Sequence, residues 1–270
     1  MYHMKVAFDL ISDIHLETWP ETLHWTGLST SPVLIIAGDL ARDPRLIRTA
    51  LKHFSECYAA VFYIDGNDEH RFKLDRLGES YKQLSRTISS INRITFLQDN
   101  VVVIDGVAIL GTNGWWSFDL DPTVGGQESR DWMLENYLSK HPEHMVDADM
   151  IAAAAKIDAS YLVSSVARLQ THKDVKKILI VTHTVPGLDL VQHDLDVANK
   201  PIINCMGNPY MRLAINEDSE KKIHTWCFGH YHGNVDRTID GIRFVNNCRG
   251  RGDTPWHQSV YYPKRIEIEV

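Results

Sequence analysis

Three apolar runs near the start of the chain, residues 6–11, 33–37 and 61–64, each give way to a short polar loop: Ser12-Asp13, Gly38-Asp39 and Gly66-Asn67. Between the second and third runs, residues 44–60 carry Leu46, Ile47, Ala50, Leu51 and Phe54 at helical spacing. Strand, loop, helix, strand is the grammar of a parallel sheet, because a parallel neighbour is reached only through a crossover. The pattern commits the chain to an α/β fold. In such sheets, functional groups collect in the loops beyond the carboxyl ends of the strands.

The rest of the chain extends the pattern. A helix is predicted over 72–90, then strands at 101–104 and 107–110, joined by Asp105-Gly106 as a tight hairpin. Residues 128–172 read as mostly helical, with the alanine-rich 150–156 at their centre. Strands follow at 178–182, 225–228, 242–245 and 261–270. No repeat, low-complexity tract or linker interrupts the chain. The expectation is one domain over 1–270, with 115–168 as a helical insertion or cap beside the site.

With 270 residues, 44% of them apolar, the chain can bury a large core, and its net charge of −7 argues against a long nucleic-acid partner. A phosphorylated small molecule or nucleotide stays open, since bound cations reverse the local sign of an acidic site. Cys57, Cys205, Cys227 and Cys248 show no Cys-x-x-Cys spacing and sit near apolar residues, so free buried thiols and a reducing, cytoplasmic setting are expected. No signal-peptide pattern is present, and no apolar stretch reads as approaching the ~20 residues of a membrane span, so no membrane partner is expected. Nothing in the pattern specifies an oligomeric state.

Five polar segments close apolar runs: Asp13-Ile14-His15, Gly38-Asp39, Gly66-Asn67-Asp68-Glu69-His70, Thr182-His183 and Gly229-His230-Tyr231-His232. They supply Asp13, His15, Asp39, Asn67, His183, His230 and His232, the right stock to hold two divalent metals, a standard device for displacement at phosphorus. The spacing of two in Asp13/His15 and in His230/His232 lets both side chains leave an extended segment on one side. Asp39 has two oxygens with which to bridge two cations, Asn67 offers a neutral carbonyl oxygen and His183 an imidazole nitrogen. Mixed nitrogen and oxygen ligands suit Mn²⁺ first, then Fe, Zn²⁺ or Ni²⁺, over Mg²⁺ and Ca²⁺. No cysteine belongs to the set, which argues against structural zinc.

In this order the segments resemble the calcineurin-like metallophosphoesterase family over residues 6–249, and Asn246-Asn247-Cys248-Arg249-Gly250 is similar to the Asn-x-x-Gly turn that follows its last core strand. The resemblance implies a four-layer α-β-β-α sandwich of two mixed sheets flanked by helices, with a binuclear centre at the strand ends. It implies that Asp13, His15, Asp39 and His232 hold one metal and Asp39, Asn67, His183 and His230 the other. The implied activity is a metal-dependent phosphoric ester hydrolase, acting on a phosphodiester or nucleotide-type substrate through a metal-bridging hydroxide. A phosphomonoesterase or protein phosphatase, and a non-catalytic metal-binding scaffold, are the alternatives.

One letter departs from the family. After Gly-Asn its members commonly carry a histidine that binds the phosphate and helps protonate the leaving oxygen; here Asp68 stands there. An ionised Asp donates no proton and repels a phosphate if it points inward, and two cations nearby would keep it ionised. Impaired or redirected catalysis is the expectation. Three readings stay open: a native Asp with the chemistry adjusted around it, His70 supplying the imidazole from the same loop, or an Asp introduced in place of histidine. Asp68 and His70 are thus the candidate catalytic side chains. Arg42 and Arg249 are candidate partners for phosphate oxygens, Asp9 and Glu17 candidates for orienting the ligands. Trp115 and Trp116, with Trp25 and Trp132, form a candidate wall for stacking a base.

Overall fold

The computed structural model describes residues 5–20, 29–138, 147–191, 200–255 and 257–270. Trp25 lies outside the described residues. The first three apolar runs are β1 (Lys5–Ile11), β2 (Val33–Ala37) and β3 (Ala60–Ile64), paired in parallel. The crossover from β2 to β3 is α1 (Pro44–Cys57), started by Asp43, whose carboxylate accepts the Arg45 N–H, and by a proline at the first turn. A 3₁₀ segment, Asp68–Arg76, leads into α2 (Leu77–Ser89) and then β4 (Ile94–Phe96). β5 (Asn100–Ile104) and β6 (Val107–Thr112) form the expected hairpin, with Asp105 and Gly106 at φ 47° and 83°, the positive angles such a two-residue turn demands.

The second half holds α3 (Gly126–Leu138), α4 (Ala148–Gln170), β7 (Lys177–Thr182), α5 (Leu213–Asn216), β8 (Ile223–Phe228), β9 (Asp236–Ile239), β10 (Ile242–Asn246) and β11 (Lys264–Glu269). The strands form two sheets, ordered β11-β1-β2-β3-β4 and β5-β6-β7-β8-β10-β9. Both are mixed: β11 runs antiparallel to β1, β5 to β6 and β9 to β10, while the interior pairings are parallel.

Each sheet is covered on both faces, which is why its strands read as unbroken apolar runs. Phe8, Leu10, Ile35, Phe62 and Ile64 of the first sheet meet Ile109, Leu179, Val181, Cys227 and Val245 of the second in a core between them. On its outer face the first sheet packs Leu34, Ile36 and Tyr63 against Ile47, Leu51 and Phe54 of α1 and Leu84 and Ile88 of α2. The second packs Leu110, Ile178, Ile180 and Trp226 against Leu162, Val166 and Leu169 of α4. The result is the four-layer α-β-β-α sandwich.

Two expectations are corrected, that no apolar stretch approaches the length of a membrane span and that all four thiols are buried. α4 has 23 residues and contains an 18-residue window of mean hydropathy 1.3, long and apolar enough by length and composition alone to cross a membrane. Its alanines and its stripe of Ile151, Ala155, Leu162, Val166 and Leu169 account for that, and the stripe is buried in the protein. The first turns of α4 join Trp115, Trp116, Phe118 and Met133 in a separate cluster, while its later turns lie on the second sheet. Residue 168 lies in the last turn of this helix. Of the cysteines, all free, Cys205, Cys227 and Cys248 are buried as expected, but Cys57 is exposed.

Candidate metal centre

Every expected ligand stands just past the carboxyl end of a parallel strand: Asp13 and His15 after β1, Asp39 after β2, Asn67 after β3, His183 after β7, His230 and His232 after β8. The turns there are tight. Asp13, His15, Asp39 and His230 have φ of 50°, 46°, 52° and 64°, a left-handed backbone costing roughly 1–2 kcal/mol per non-glycine residue. Hydrogen bonds between the loops hold them there: Asp13 N to Gly38 O at 3.0 Å, His15 N to Asp39 O at 3.1 Å, and Gly229 N to His183 O at 2.8 Å. Two glycines are needed for the close approach. A Cβ on Gly38 (φ +85°) would fall on the His183 imidazole, and one on Gly66 on the Asp39 carboxylate.

The side chains gather in two groups. Asp13, His15 and His232 each bring a ligand atom within 4.8 Å of the others, and so do Asp39, His183 and His230. His15 Nε2 is 3.2 Å from His232 Nε2, which is 3.4 Å from Asp13 Oδ1. Asp39 turns Oδ2 toward His15 Nε2 at 3.7 Å and Oδ1 toward His183 Nε2 at 3.5 Å, so its two oxygens face the two groups. The His183 tautomer is fixed by Nδ1, which donates to the Ala37 carbonyl at 2.9 Å and leaves an Nε2 lone pair 3.1 Å from Asn67 Oδ1. Asn67 Nδ2 faces Asp68 Oδ1 at 3.4 Å, which assigns the amide orientation. His230 gives Nε2–H to Cys205 O at 3.0 Å, leaving Nδ1 for a ligand, and Trp116 stacks on its ring at 5.6 Å and 14°.

Lone pairs pointed at one another are unfavourable without a cation between them. Two atoms bound to one ion at about 2.1 Å each lie roughly 3.0–3.4 Å apart, which the His15–His232, His232–Asp13 and His183–Asn67 separations match, while the two Asp39 contacts are slightly longer, at 3.5 and 3.7 Å. The electrostatics agree. Burial, then the charges of Asp68, Glu69 and Asp13, push Asp39 well above the usual carboxylate range. Burial also opposes ionisation of Asp13, but the hydrogen bond with His232 and the nearby imidazoles outweigh it and hold that carboxyl well below the usual range. Burial depresses His183, and it pushes His230 down to about 3 with help from the charge of His183. Neutral imidazoles are the form that binds metal.

Asp68 points into a cage of cations. Arg42 reaches its Oδ2 with Nε and Nη2, both at 2.8 Å; Arg251 Nη1 is 3.5 Å from the same oxygen, Arg71 Nη1 is 3.7 Å from Oδ1, and His15 Nδ1 lies 3.2 Å away. Burial opposes its charge, but His15, Arg42 and Arg71 outweigh it and hold the carboxyl well below the ordinary range. His70 is placed elsewhere. It is fully buried, with Nε2 2.7 Å from Asp65 Oδ2 and Nδ1 2.8 Å from Ser80 Oγ. Residues two apart on a 3₁₀ turn face different ways, so His70 is not presented to the ligands.

Other candidates also find partners away from the centre. Asp9 accepts from Thr30 N at 2.7 Å, Ser31 N at 3.3 Å and Tyr58 Oη at 3.0 Å, which ties β1 to the start of β2. Glu17 pairs with Arg42 at 3.6 Å. The Arg249 guanidinium lies 3.7 Å over the Trp19 ring. Trp115 and Trp116 are fully buried, with Trp115 Nε1 donating to Tyr81 Oη at 2.8 Å, and Trp132 packs beside them. They support the site from behind instead of offering a face for a base.

Three residues of consequence escaped the sequence reading. Glu69 accepts from Leu40 N at 2.7 Å, Gly66 N at 2.8 Å, Tyr63 Oη at 2.8 Å and Asp39 N at 3.2 Å, which binds the β2 and β3 loops together. Asp158 on α4 accepts from Gly114 N at 2.7 Å and Trp115 N at 3.2 Å, fixing the loop under Trp116. Cys248 gives its thiol to Asp13 Oδ2 at 3.0 Å.

No protein-family model matches the chain, and no curated protein sequence matches it. Solved structures do. The phosphopantetheinyl hydrolase PptH from Mycobacterium tuberculosis superposes with a TM-score of 0.69 at 18% identity, over 92% of this chain and 90% of that one. A dimetal phosphatase from Danio rerio gives 0.50 at 14% identity, over 98% and 95%. A putative 5′-nucleotidase from Staphylococcus aureus gives 0.52 at 15% identity over 98% of this chain, which spans only 51% of that longer one. The chain has the calcineurin-like metallophosphoesterase fold.

Proposed function

We propose that the chain is a binuclear metal-dependent phosphoesterase that hydrolyses a phosphodiester or nucleotide-type substrate. The observation that carries this reading is the division of one converging set of side chains into two groups that meet at Asp39. Asp13, His15, Asp39 and His232 would hold one ion, and Asp39, Asn67, His183 and His230 the other, with manganese placed ahead of iron, zinc and nickel. When bound, such a pair supplies a nucleophile from water at neutral pH and positive charge for the phosphate oxygens.

The chain's own residues prepare the place. The Ala37 and Cys205 carbonyls fix His183 and His230 as neutral, aimed imidazoles. Glu69 holds the loop that carries Asp39. His232, with 26% of its side chain exposed, marks the open side by which substrate enters. Phosphate-ester hydrolysis by proteins that share the fold supports the class of reaction and leaves the substrate to experiment.

The test is to strip the chain of metal and titrate back Mn²⁺, Fe²⁺, Zn²⁺ and Ni²⁺, following bound metal together with cleavage of bis-p-nitrophenyl phosphate and p-nitrophenyl phosphate. Two ions per chain, with diester cleavage returning alongside them, is the expected result. Cleavage indifferent to chelation overturns the reading. Two bound ions with no cleavage of either ester replaces it with the metal-binding scaffold.

A further inference from the structure

None of the candidate metal ligands lines a cleft of about 520 Å³ between α2 and the chain leading from β4 to β5. Its volume falls in the range of about 300–1,000 Å³ that small-molecule sites occupy. One wall is Tyr81, Lys82, Ser85 and Arg86 of α2, which form a single stripe because residues three and four apart share a helix face. Phe96, Gln98 and Asp99 line the other wall. Lys82 and Arg86 are exposed, and among the described residues neither meets a carboxylate at ion-pair distance, Asp99 across the cleft included. Ser85 adds a hydroxyl beside them. Tyr81 and Phe96 are only partly buried, packed against the core on one side and open to the cleft on the other.

These groups call for a ligand of mixed character. Two cations and a hydroxyl on adjoining turns suit a phosphate monoester, which carries about −1.5 to −2 charge at neutral pH. The two partly exposed rings suit a flat apolar face. Asp99 accepts from Thr112 Oγ1 at 3.3 Å; as a carboxylate it welcomes the hydroxyls or amine of a ligand and repels a second anion. A bare phosphate would reach the cations and leave most of the volume to water. We propose that the cleft binds a nucleoside monophosphate, with the phosphate on Lys82, Ser85 and Arg86 and the base against Tyr81 and Phe96, and that its occupancy is felt at the metal centre.

Both walls are tied to the metal centre on their inner sides. Tyr81 Oη accepts from Trp115 Nε1 at 2.8 Å, and its ring lies 4.5 Å from that of His70. Gln98 gives its amide to Thr112 Oγ1 at 3.0 Å and Asp158 Oδ1 at 3.2 Å, and it accepts from Asn113 N at 2.8 Å. Asp158 in turn holds Gly114 N and Trp115 N. The two walls therefore grip one loop, residues 113–116, whose Trp116 stacks on the candidate ligand His230. A ligand that draws the walls together or spreads them moves the support of one half-site through packed rings and hydrogen bonds. A nucleoside monophosphate is also what hydrolysis of a nucleotide-type diester releases, so a filled cleft would signal product. The binding site stands without the phosphoesterase reading; its effect on turnover rests on that reading.

The test uses the metal-loaded chain, adenosine 5′-monophosphate (AMP) and the double variant Lys82→Ala/Arg86→Ala. The variant reports any AMP bound at the metals, so the binding it lacks in calorimetry is the share of the cleft. Each single substitution should weaken that share about tenfold or more, the scale of one lost charge-assisted contact. Adenosine, which lacks the phosphate, and ribose 5-phosphate, which lacks the ring, should each bind the cleft about tenfold or more weaker than AMP. Identical AMP isotherms in wild type and double variant overturn the site, and equal binding of AMP and ribose 5-phosphate overturns its nucleotide character. Without AMP, both proteins should cleave bis-p-nitrophenyl phosphate equally. With AMP, kcat should change about twofold or more in the wild type, while in the double variant AMP raises KM alone, as competition at the metals does. An effect on KM alone in both proteins overturns the link through the 113–116 loop. No cleavage by either protein, with cleft-dependent AMP binding retained, would sink the phosphoesterase reading and leave the site standing.

Discussion

The two sheets bring different chemistry to the same cleft. The loops of the first sheet supply Asp13, Asp39 and Asn67, all candidate oxygen ligands, with His15; the loops of the second supply only the imidazoles of His183, His230 and His232. Three of the four left-handed ligand residues, Asp13, His15 and Asp39, also belong to the first sheet. Charge and strain are thus concentrated on one side, and neutral, carbonyl-aimed nitrogens on the other. Each group draws on both sheets, so bound ions would clip the sheets together at this end. Each side also has a carboxylate that braces its loops without being a ligand, Glu69 for the first sheet and Asp158 for the second. Burial pushes both up to about 7.

The largest test of this division is a pair of substitutions. Asp39 faces both groups, whereas His183 serves one. Both Asp39→Asn and His183→Ala should cost about 10³-fold or more in diester turnover, the scale of several kcal/mol of charge stabilisation. Bound metal should separate them: Asp39→Asn loses both ions and His183→Ala keeps the one held by Asp13, His15 and His232. Retention of a full ion in Asp39→Asn would break the assignment of the bridge to the first sheet.

A second test acts through pH on the brace of the second sheet. Asp158 is fully buried and its folded pKa is raised to about 7 from 3.8. A raised folded pKa means stability that is complete below the unfolded value and lost as pH rises through the folded one. Asp158→Asn removes this dependence. The unfolding free energy of the variant should therefore gain on the wild type as pH rises from about 4 to about 7, by on the order of 3 kcal/mol. Urea unfolding of the metal-free chain measures it. A difference between the two proteins that does not change with pH would show that Asp158 is ionised in the folded state throughout.

What the sequence disclosed follows the same division between local and distant causes. Strands with both faces covered announce themselves as apolar runs, and the candidate ligands follow because each lies within a few residues of such a run. β9, exposed over most of its length, and the three-residue β4 left no pattern to read. The pairing of β11 with β1 joins the two ends of the chain, and no local spacing encodes it. His70 was legible as a candidate from its nearness to Asp68, yet the 3₁₀ turn sends it to Asp65 and Ser80. The arginine cage is the converse case. Arg71 and Arg251 stand far apart in sequence, and only the sandwich brings them to one carboxylate.

Glu69→Gln asks whether the brace of the first sheet is as important to metal binding as its hydrogen bonds imply. The glutamate divides four donors between its oxygens, Leu40 N and Tyr63 Oη on one, Gly66 N and Asp39 N on the other. A glutamine must set its NH₂ against one of these pairs, donor facing donor. Affinity for Mn²⁺, measured by competition with a chelator, should fall about 10–100-fold, the usual loss when a partner that orients a ligand is removed. An unchanged affinity would mean that the left-handed turn at Asp39 is held by its backbone hydrogen bonds with the β1 loop alone.

The smallest effect concerns the helices outside each sheet. Asp43 caps α1 by accepting from Arg45 N at 2.8 Å, just after the loop that carries Asp39 and Arg42; Asp147 caps α4 by accepting from Asp149 N at 2.9 Å and Met150 N at 3.0 Å. Asp43→Ala and Asp147→Ala should each cost about 1 kcal/mol of stability, as losses of a helix cap do. If the loops are fixed from within, by Glu69 on one side and Asp158 on the other, neither variant should change Mn²⁺ affinity. A weaker affinity in Asp43→Ala alone would show that the strained side of the cleft leans on the helix that follows it. The two sheets would then differ in how their loops are held as well as in the ligands they carry.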